Sequence, residues 1–132
     1  MIKKVDHIGL AVSNLDEIVK MFSELLGLEA DVIADNDQLK AAFIQVGDII
    51  IEPIQPVDQN KTIAKFIKEH GNGIHHICFE VDDVDKDLEA LAAKGVKLLD
   101  ETGRKGLTGK VGFIQPSETE NILIELVQKT DE

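Results

Sequence analysis

Gly73-Ile74-His75-His76-Ile77-Cys78-Phe79-Glu80-Val81-Asp82-Asp83-Val84-Asp85 repeats a pattern already set by Val5-Asp6-His7-Ile8-Gly9-Leu10-Ala11-Val12-Ser13-Asn14-Leu15-Asp16. His76 stands 69 residues after His7, and the same shift carries Ile8 to Ile77, Leu10 to Phe79, Val12 to Val81 and Asp16 to Asp85. Two more matches follow downstream: Phe43-Ile44-Gln45 returns as Phe113-Ile114-Gln115, and Ile49-Ile50-Ile51-Glu52 as Ile122-Leu123-Ile124-Glu125. A period this long exceeds a solenoid unit and points to two copies of one module.

Each copy opens on alternation. Val5, His7, Gly9 and Ala11 share one side of a strand, while Ile8, Leu10 and Val12 share the other. Ser13-Asn14 offers a helix cap, with Asp16 and Glu17 in the first turn, where the helix dipole favours them. Leu15, Ile18, Val19, Phe22, Leu25 and Leu26 keep helical spacing up to Gly27, a helix stop. Strands are expected over 29–34, 39–46 and 49–54, giving a β-α-β-β-β module. Thr62 to Glu69 reads as a short connecting helix before the break Gly71-Asn72-Gly73. The second copy then predicts a strand at 74–81, a helix at 84–94 and strands at 96–99, 110–115 and 121–127. The expected organisation is one α+β domain over 1–132. Module one covers about 1–56, a connecting helix about 57–72 and module two about 73–128. The last four residues, Lys129 to Glu132, are expected to fray.

Composition narrows the function. With 25 acidic and 14 basic residues the formal charge is −11, which argues against a nucleic-acid or membrane-surface partner, since both need a basic footprint. The single cysteine excludes an internal disulfide framework and suits a reducing compartment, so a cytoplasmic location is expected. No apolar run reaches membrane-spanning length.

The repeat puts a His on the first strand and a Glu on the last strand of each copy: His7 with Glu52, and His76 with Glu125. Each His lies on the side opposite the apolar residues that should pack on the helices. Each Glu ends a run of Ile and Leu, where a lone carboxylate is costly to bury. Facing sheets would gather these four side chains around a pseudo-twofold axis. Such a nitrogen and oxygen set suits a divalent transition metal (cobalt, nickel, manganese, iron or zinc) with positions left for substrate oxygens or water.

Two modules with paired His and Glu resemble the vicinal oxygen chelate superfamily, which includes glyoxalase I, extradiol dioxygenases and fosfomycin resistance proteins. Within it, the run Gly71 to Asp83, the segment Ile63-Ala64-Lys65-Phe66 and the segment Phe113-Ile114-Gln115-Pro116 are similar to the methylmalonyl-CoA epimerases. The resemblance spans essentially the whole chain. It implies a glyoxalase-like fold, a curved and incompletely closed sheet around a central metal site formed by His7, Glu52, His76 and Glu125. The activity it implies is isomerisation of methylmalonyl-CoA by α-proton transfer, with Lewis-acid stabilisation of the enolate. Glu125 is then the candidate ligand that also handles a proton, with Glu52 as a partner base. A small acyl-CoA or other thioester substrate and a homodimer are implied as well.

Two departures stand beside the resemblance. Some epimerases carry a Glu on the strand before Phe43 where this chain has Ala41, and a His-Pro-Lys turn where it has Gln115-Pro116-Ser117. The second base is then Glu52, or an acid reaching in from Asp35 or Asp37, or the chain is not an epimerase. A glyoxalase I-like lactoylglutathione lyase and a non-enzymatic, resistance-type binding protein are the alternatives. Gly103 to Lys110 is a basic, glycine-rich loop without Walker spacing. It reads either as a solvated turn or as part of a substrate mouth where Lys110 meets a carboxylate or phosphate. Gln45 and Gln115 are candidates for hydrogen bonds to substrate or between strands. His75 points away from His76 by strand parity and reads as structural; Cys78 shares the face of His76.

Overall fold

The computed structural model describes residues 1–130, so Asp131 and Glu132 of the expected fraying tail lie outside the described residues. The elements run β1 (Ile2–Ala11), α1 (Leu15–Leu26), β2 (Asp31–Asp35), β3 (Leu39–Val46), β4 (Ile49–Pro56), α2 (Thr62–His70), β5 (Gly73–Val81), α3 (Val84–Ala93), β6 (Arg104–Lys105), β7 (Gly109–Phe113) and β8 (Ile124–Lys129). A single 3-10 turn covers Pro116–Glu118. Two compact units result: His7–His75 forms one, and Met1–Asp6 together with the residues from His76 onward forms the other.

In the first unit β1 pairs parallel with β4, β4 antiparallel with β3, and β3 antiparallel with β2. A parallel pair needs a long crossover, here supplied by α1 and the β2–β3 hairpin. Asn14 caps α1 by accepting the Glu17 N–H, and Gly27 closes it in the left-handed conformation, φ 68°, that its missing Cβ permits. The apolar side of β1 packs on this helix: Val12, Leu15 and Ala42 are buried together against Leu10, Ile18 and Val19. Around α2, Asn72 accepts the Ser13 N–H and so ties the end of that helix to the start of α1.

The second unit repeats the plan, with β5 parallel to β8, β8 antiparallel to β7, and β7 antiparallel to β6. Asp83 caps α3 through the Lys86 N–H, and Val81, Val84, Leu88 and Leu126 form the buried cluster under the helix. Met1–Asp6 is held there by the terminal amine on Asp87, by Lys3 on Glu80 and by Lys129 on Asp6.

The strand expected at 96–99 does not form. Only one antiparallel bridge, Leu98 to Ile114, is made. Backbone bonds from the Leu99 N–H to the Phe113 carbonyl and from the Gln115 N–H to the Lys97 carbonyl flank it. The Asp100 carboxylate accepts the Phe113 N–H and the Arg104 side chain, and the Lys97 N–H goes to Glu118. The strand expected from Asn121 begins at Ile124, because Glu120 and Asn121 take the left-handed region, φ 56° and 66°. Conversely, the basic loop contains a short strand, β6, that alternation could not reveal in two residues.

Candidate active site

One register governs both units. In the first, Gly9 of β1 stands opposite Glu52 of β4; in the second, Cys78 of β5 stands opposite Glu125 of β8. Gly9 and Cys78 are equivalent under the repeat, so each Glu lies beside the residue two after its His, on the same side of the sheet. The result is a buried couple in each unit. His7 Nε2 is 3.4 Å from Glu52 Oε2, with the two residues 6% and 4% exposed. His76 Nε2 is 3.1 Å from Glu125 Oε1, with exposures of 5% and 7%.

These separations fit a metal as well as a hydrogen bond. Two donors each about 2.1 Å from one ion lie about 3.0 Å apart at a right angle and about 3.4 Å apart at the tetrahedral angle. Each couple therefore presents its nitrogen and oxygen at the spacing of neighbouring ligands, without rearrangement. The pairing also answers why a Glu follows a run of Ile and Leu: a buried carboxylate is tolerable beside a donor or a cation.

The first unit's remaining groups bear on the second base. Ala41 lies opposite Ile54 and Ile44 opposite Ile51, which sets Phe43 beside Glu52 and Ala41 on the same side. Ala41 is fully buried and brings no acid there. Asp35 pairs with Lys40, whose side chain alternates away from that side, so Asp35 does not reach Glu52's face; Asp37 is exposed in the hairpin turn. Asp31, which the sequence did not single out, pairs with Phe43 and shares the side of Glu52. Gln45 Nε2 donates to the Gly47 carbonyl at 2.7 Å, within its own turn. His75 is engaged edge-on by Phe66, which also contacts His70, in keeping with a structural role for both.

In the second unit Phe113 packs edge-on against the His76 ring, centroids 5.8 Å apart, and Cys78 is buried with Val111 and Val127. Lys110 Nζ is 2.7 Å from Asp85 Oδ2, and Asp85 Oδ1 accepts the Gly103 N–H. The Lys110 hydrogen bond, then the Gly103 N–H, holds the Asp85 carboxyl below its ordinary value, and Asp85 raises Lys110 in turn. Gln115 lines a cavity of about 890 Å³ with Asp85, Lys97, Glu101 and Ser117; neither His76 nor Glu125 lines it.

One repeated feature escaped the sequence reading. Gln55 accepts the Leu15 N–H at 2.8 Å, and Gln128 accepts the Val84 N–H at 3.0 Å. Each Gln lies three residues beyond its Glu, so it points to the helix side while the Glu points to the His. The recurring Glu-x-x-Gln, Glu52 to Gln55 and Glu125 to Gln128, was the available signal.

Residues 6–114 match the model of the glyoxalase/bleomycin resistance protein/dioxygenase superfamily, and the chain belongs to that family. Among its relatives is the mitochondrial methylmalonyl-CoA epimerase of Dictyostelium discoideum, 33% identical over 97% of this chain and 80% of that protein. The ethylmalonyl-CoA/methylmalonyl-CoA epimerase of Cereibacter sphaeroides is 31% identical over 97% of this chain and 99% of its own length. A variant of the Streptomyces coelicolor methylmalonyl-CoA epimerase, solved in complex with 2-nitronate-propionyl-CoA, superposes with a TM-score of 0.90 at 27% identity, covering 98% of this chain and 96% of that one. The whole chain therefore shares the α+β glyoxalase-type fold. No helix among the described residues is long and apolar enough to cross a membrane.

Proposed function

We propose that this protein is an isomerase that epimerises methylmalonyl-CoA by transfer of its α-proton, with His7, Glu52, His76 and Glu125 together holding one divalent cation. The observation that carries the reading is the buried imidazole–carboxylate couple repeated in the same register in each unit. The substrate class is supported by relatives named as methylmalonyl-CoA epimerases and by the acyl-CoA analogue in the Streptomyces coelicolor complex. Cobalt, nickel, manganese, iron and zinc all suit such a donor set.

A bound cation would supply positive charge near the thioester oxygen, where negative charge gathers as the α-carbon loses its proton. The chain's own residues handle the proton. A Glu125 carboxylate oxygen accepts it from one face of the α-carbon as the C–H electron pair moves into the thioester carbonyl. Glu52, protonated at the start of the turnover, delivers its proton to the opposite face as the carbonyl re-forms. The α-carbon is inverted, Glu52 is left ionised and Glu125 protonated, and exchange with solvent resets the pair. Ala41 brings no acid and Asp35 lies on the other side of the sheet, which supports Glu52, rather than Asp31 on the outer strand, as the acid–base group of the first unit. Burial of both carboxylates limits competing protonation by water. A homodimer in a reducing compartment such as the cytoplasm completes the proposal.

Solvent deuterium incorporation at the α-carbon of methylmalonyl-CoA, with chelator-stripped protein as control, tests the reading. Exchange that needs the metal is expected. Metal-loaded protein that exchanges nothing, or that instead turns over methylglyoxal with glutathione, would overturn it.

A further inference from the structure

We infer that Phe113 is a positioning residue for the His76 imidazole, with Asp100 and Arg104 as its brace, an assignment that rests on His76 being a ligand of the cation proposed above. The recurring Phe-Ile-Gln, Phe43 to Gln45 and Phe113 to Gln115, then has a use that the His–Glu couples alone do not explain.

Register brings the ring to its place. Phe113 of β7 stands opposite Glu125 of β8, and Glu125 stands opposite Cys78 of β5. Directly opposed residues project to one side of a sheet, and His76, two residues before Cys78, projects to that side as well. Phe113 therefore reaches past Glu125 to the imidazole, with centroids 5.8 Å apart and planes at 79°. Edge-to-face contact is a favoured arrangement of two aromatic rings, and it selects a ring plane. An aliphatic side chain would fill the space without selecting the plane. His76 Nε2 lies 3.1 Å from Glu125 Oε1. Once both atoms serve as ligands their direct bond is given up, whereas the contact with Phe113 does not depend on it.

Phe113 is itself held from two further directions. Its N–H donates to Asp100 Oδ2 at 2.9 Å, and Arg104 Nε donates to Asp100 Oδ1 at 3.0 Å. The Arg104 guanidinium lies over the Phe113 ring, 5.5 Å from its centroid, where the ring quadrupole attracts a cation. One carboxylate thus fixes both the main chain of Phe113 and the group stacked on its ring. In the first unit Phe43 takes the matching place beside Glu52 by register.

The test uses the full-length protein, stripped with chelator and titrated with cobalt(II). Calorimetry reads the affinity, and the visible absorption bands read the ligand geometry. Phe113→Leu is expected to weaken cobalt binding roughly two- to tenfold, the reach of one aromatic pair, and to shift the bands. Phe113→Tyr keeps the ring and should restore both. Arg104→Gln should shift the bands in the same direction by less, and Phe22→Leu, the same truncation on α1, should change neither. The inference is overturned if Phe113→Leu matches the wild type in affinity and spectrum, if Phe113→Tyr fails to restore them, or if Phe22→Leu weakens binding as much. Should Phe113→Leu not fold, the exposed Arg104 decides: bands in Arg104→Gln identical to the wild type overturn the inference. Wild-type protein that takes up no cobalt would remove the shared cation and this inference together. The expected pattern without α-proton exchange would leave Phe113 in place and remove only the epimerase reading.

Discussion

Glu52 stands opposite Gly9, two residues beyond His7, and Glu125 holds the same station relative to His76. A parallel register slipped by one residue would turn each Glu to the helix side and break the couple. Register is therefore part of the chemistry, and anything that secures it secures the site.

The proton-transfer role of Glu125 is separable from its place in the fold. Glu125→Gln keeps the shape of the side chain and removes its basicity. Exchange of the α-proton should fall by at least about 100-fold, the usual worth of a positioned base. Circular dichroism should report an unaltered fold. Near-normal turnover in a metal-replete variant would remove Glu125 from the chemistry.

Metal binding should register as stability. A ligand that binds only the native state at a hundred times its Kd contributes about 2.7 kcal/mol, several degrees of Tm in a domain this size. Added cobalt should raise the melting temperature of chelator-treated protein, and His7→Ala and His76→Ala should each abolish most of that rise. Should one His variant melt like the wild type across the cobalt titration, that His is not a ligand.

Gln55 and Gln128 are expected to act as positioning residues. Each joins the strand that carries the Glu to the first amide of a helix. Replacing either with Ala leaves a half-buried N–H without its acceptor and should cost about 1 kcal/mol in urea denaturation. Hydrogen exchange at Leu15 or Val84 should quicken in the matching variant only. Equal exchange at both helix starts would show that the Gln is merely packed there.

The Asp85–Lys110 clamp gives a pH dependence with a definite sign. Asp85 titrates below its ordinary value of 3.8, so its contribution is fully present above that value and is lost as pH falls through the lowered one. Lys110 titrates above 10.5, so its share persists at neutral pH and is lost only as pH rises past that raised value. Protection of the Gly103 amide should disappear at the acid end, and Asp85→Asn should remove it at neutral pH. A Gly103 amide insensitive to both would mean the loop is held by other contacts.

Much of the architecture was legible because the two periodicities are strong and stated twice. Leu15 to Leu26 keeps helical spacing between an Asn cap and a Gly stop, and β3 falls on 39–46 as expected. The misreadings lie where one side chain overrides propensity. The 96–99 segment keeps a single bridge to Ile114, with the Glu118 carboxylate taking the Lys97 N–H, and the left-handed Glu120-Asn121 turn delays β8. Neither carboxylate–amide bonding nor a turn of non-glycine residues leaves a periodic mark.

What the sequence by itself determined is the duplication, the identity of the His and Glu on each copy, and the side of the strand each His occupies. Those follow from local repetition and the two-residue period of a strand. Only the tertiary structure decided that each Glu reaches its own His across a parallel pairing, that Asp35 is turned away from Glu52, and that Phe113 meets the His76 ring. Those relations depend on register between strands distant in the chain, which is set by packing against helices and cannot be read from either strand alone.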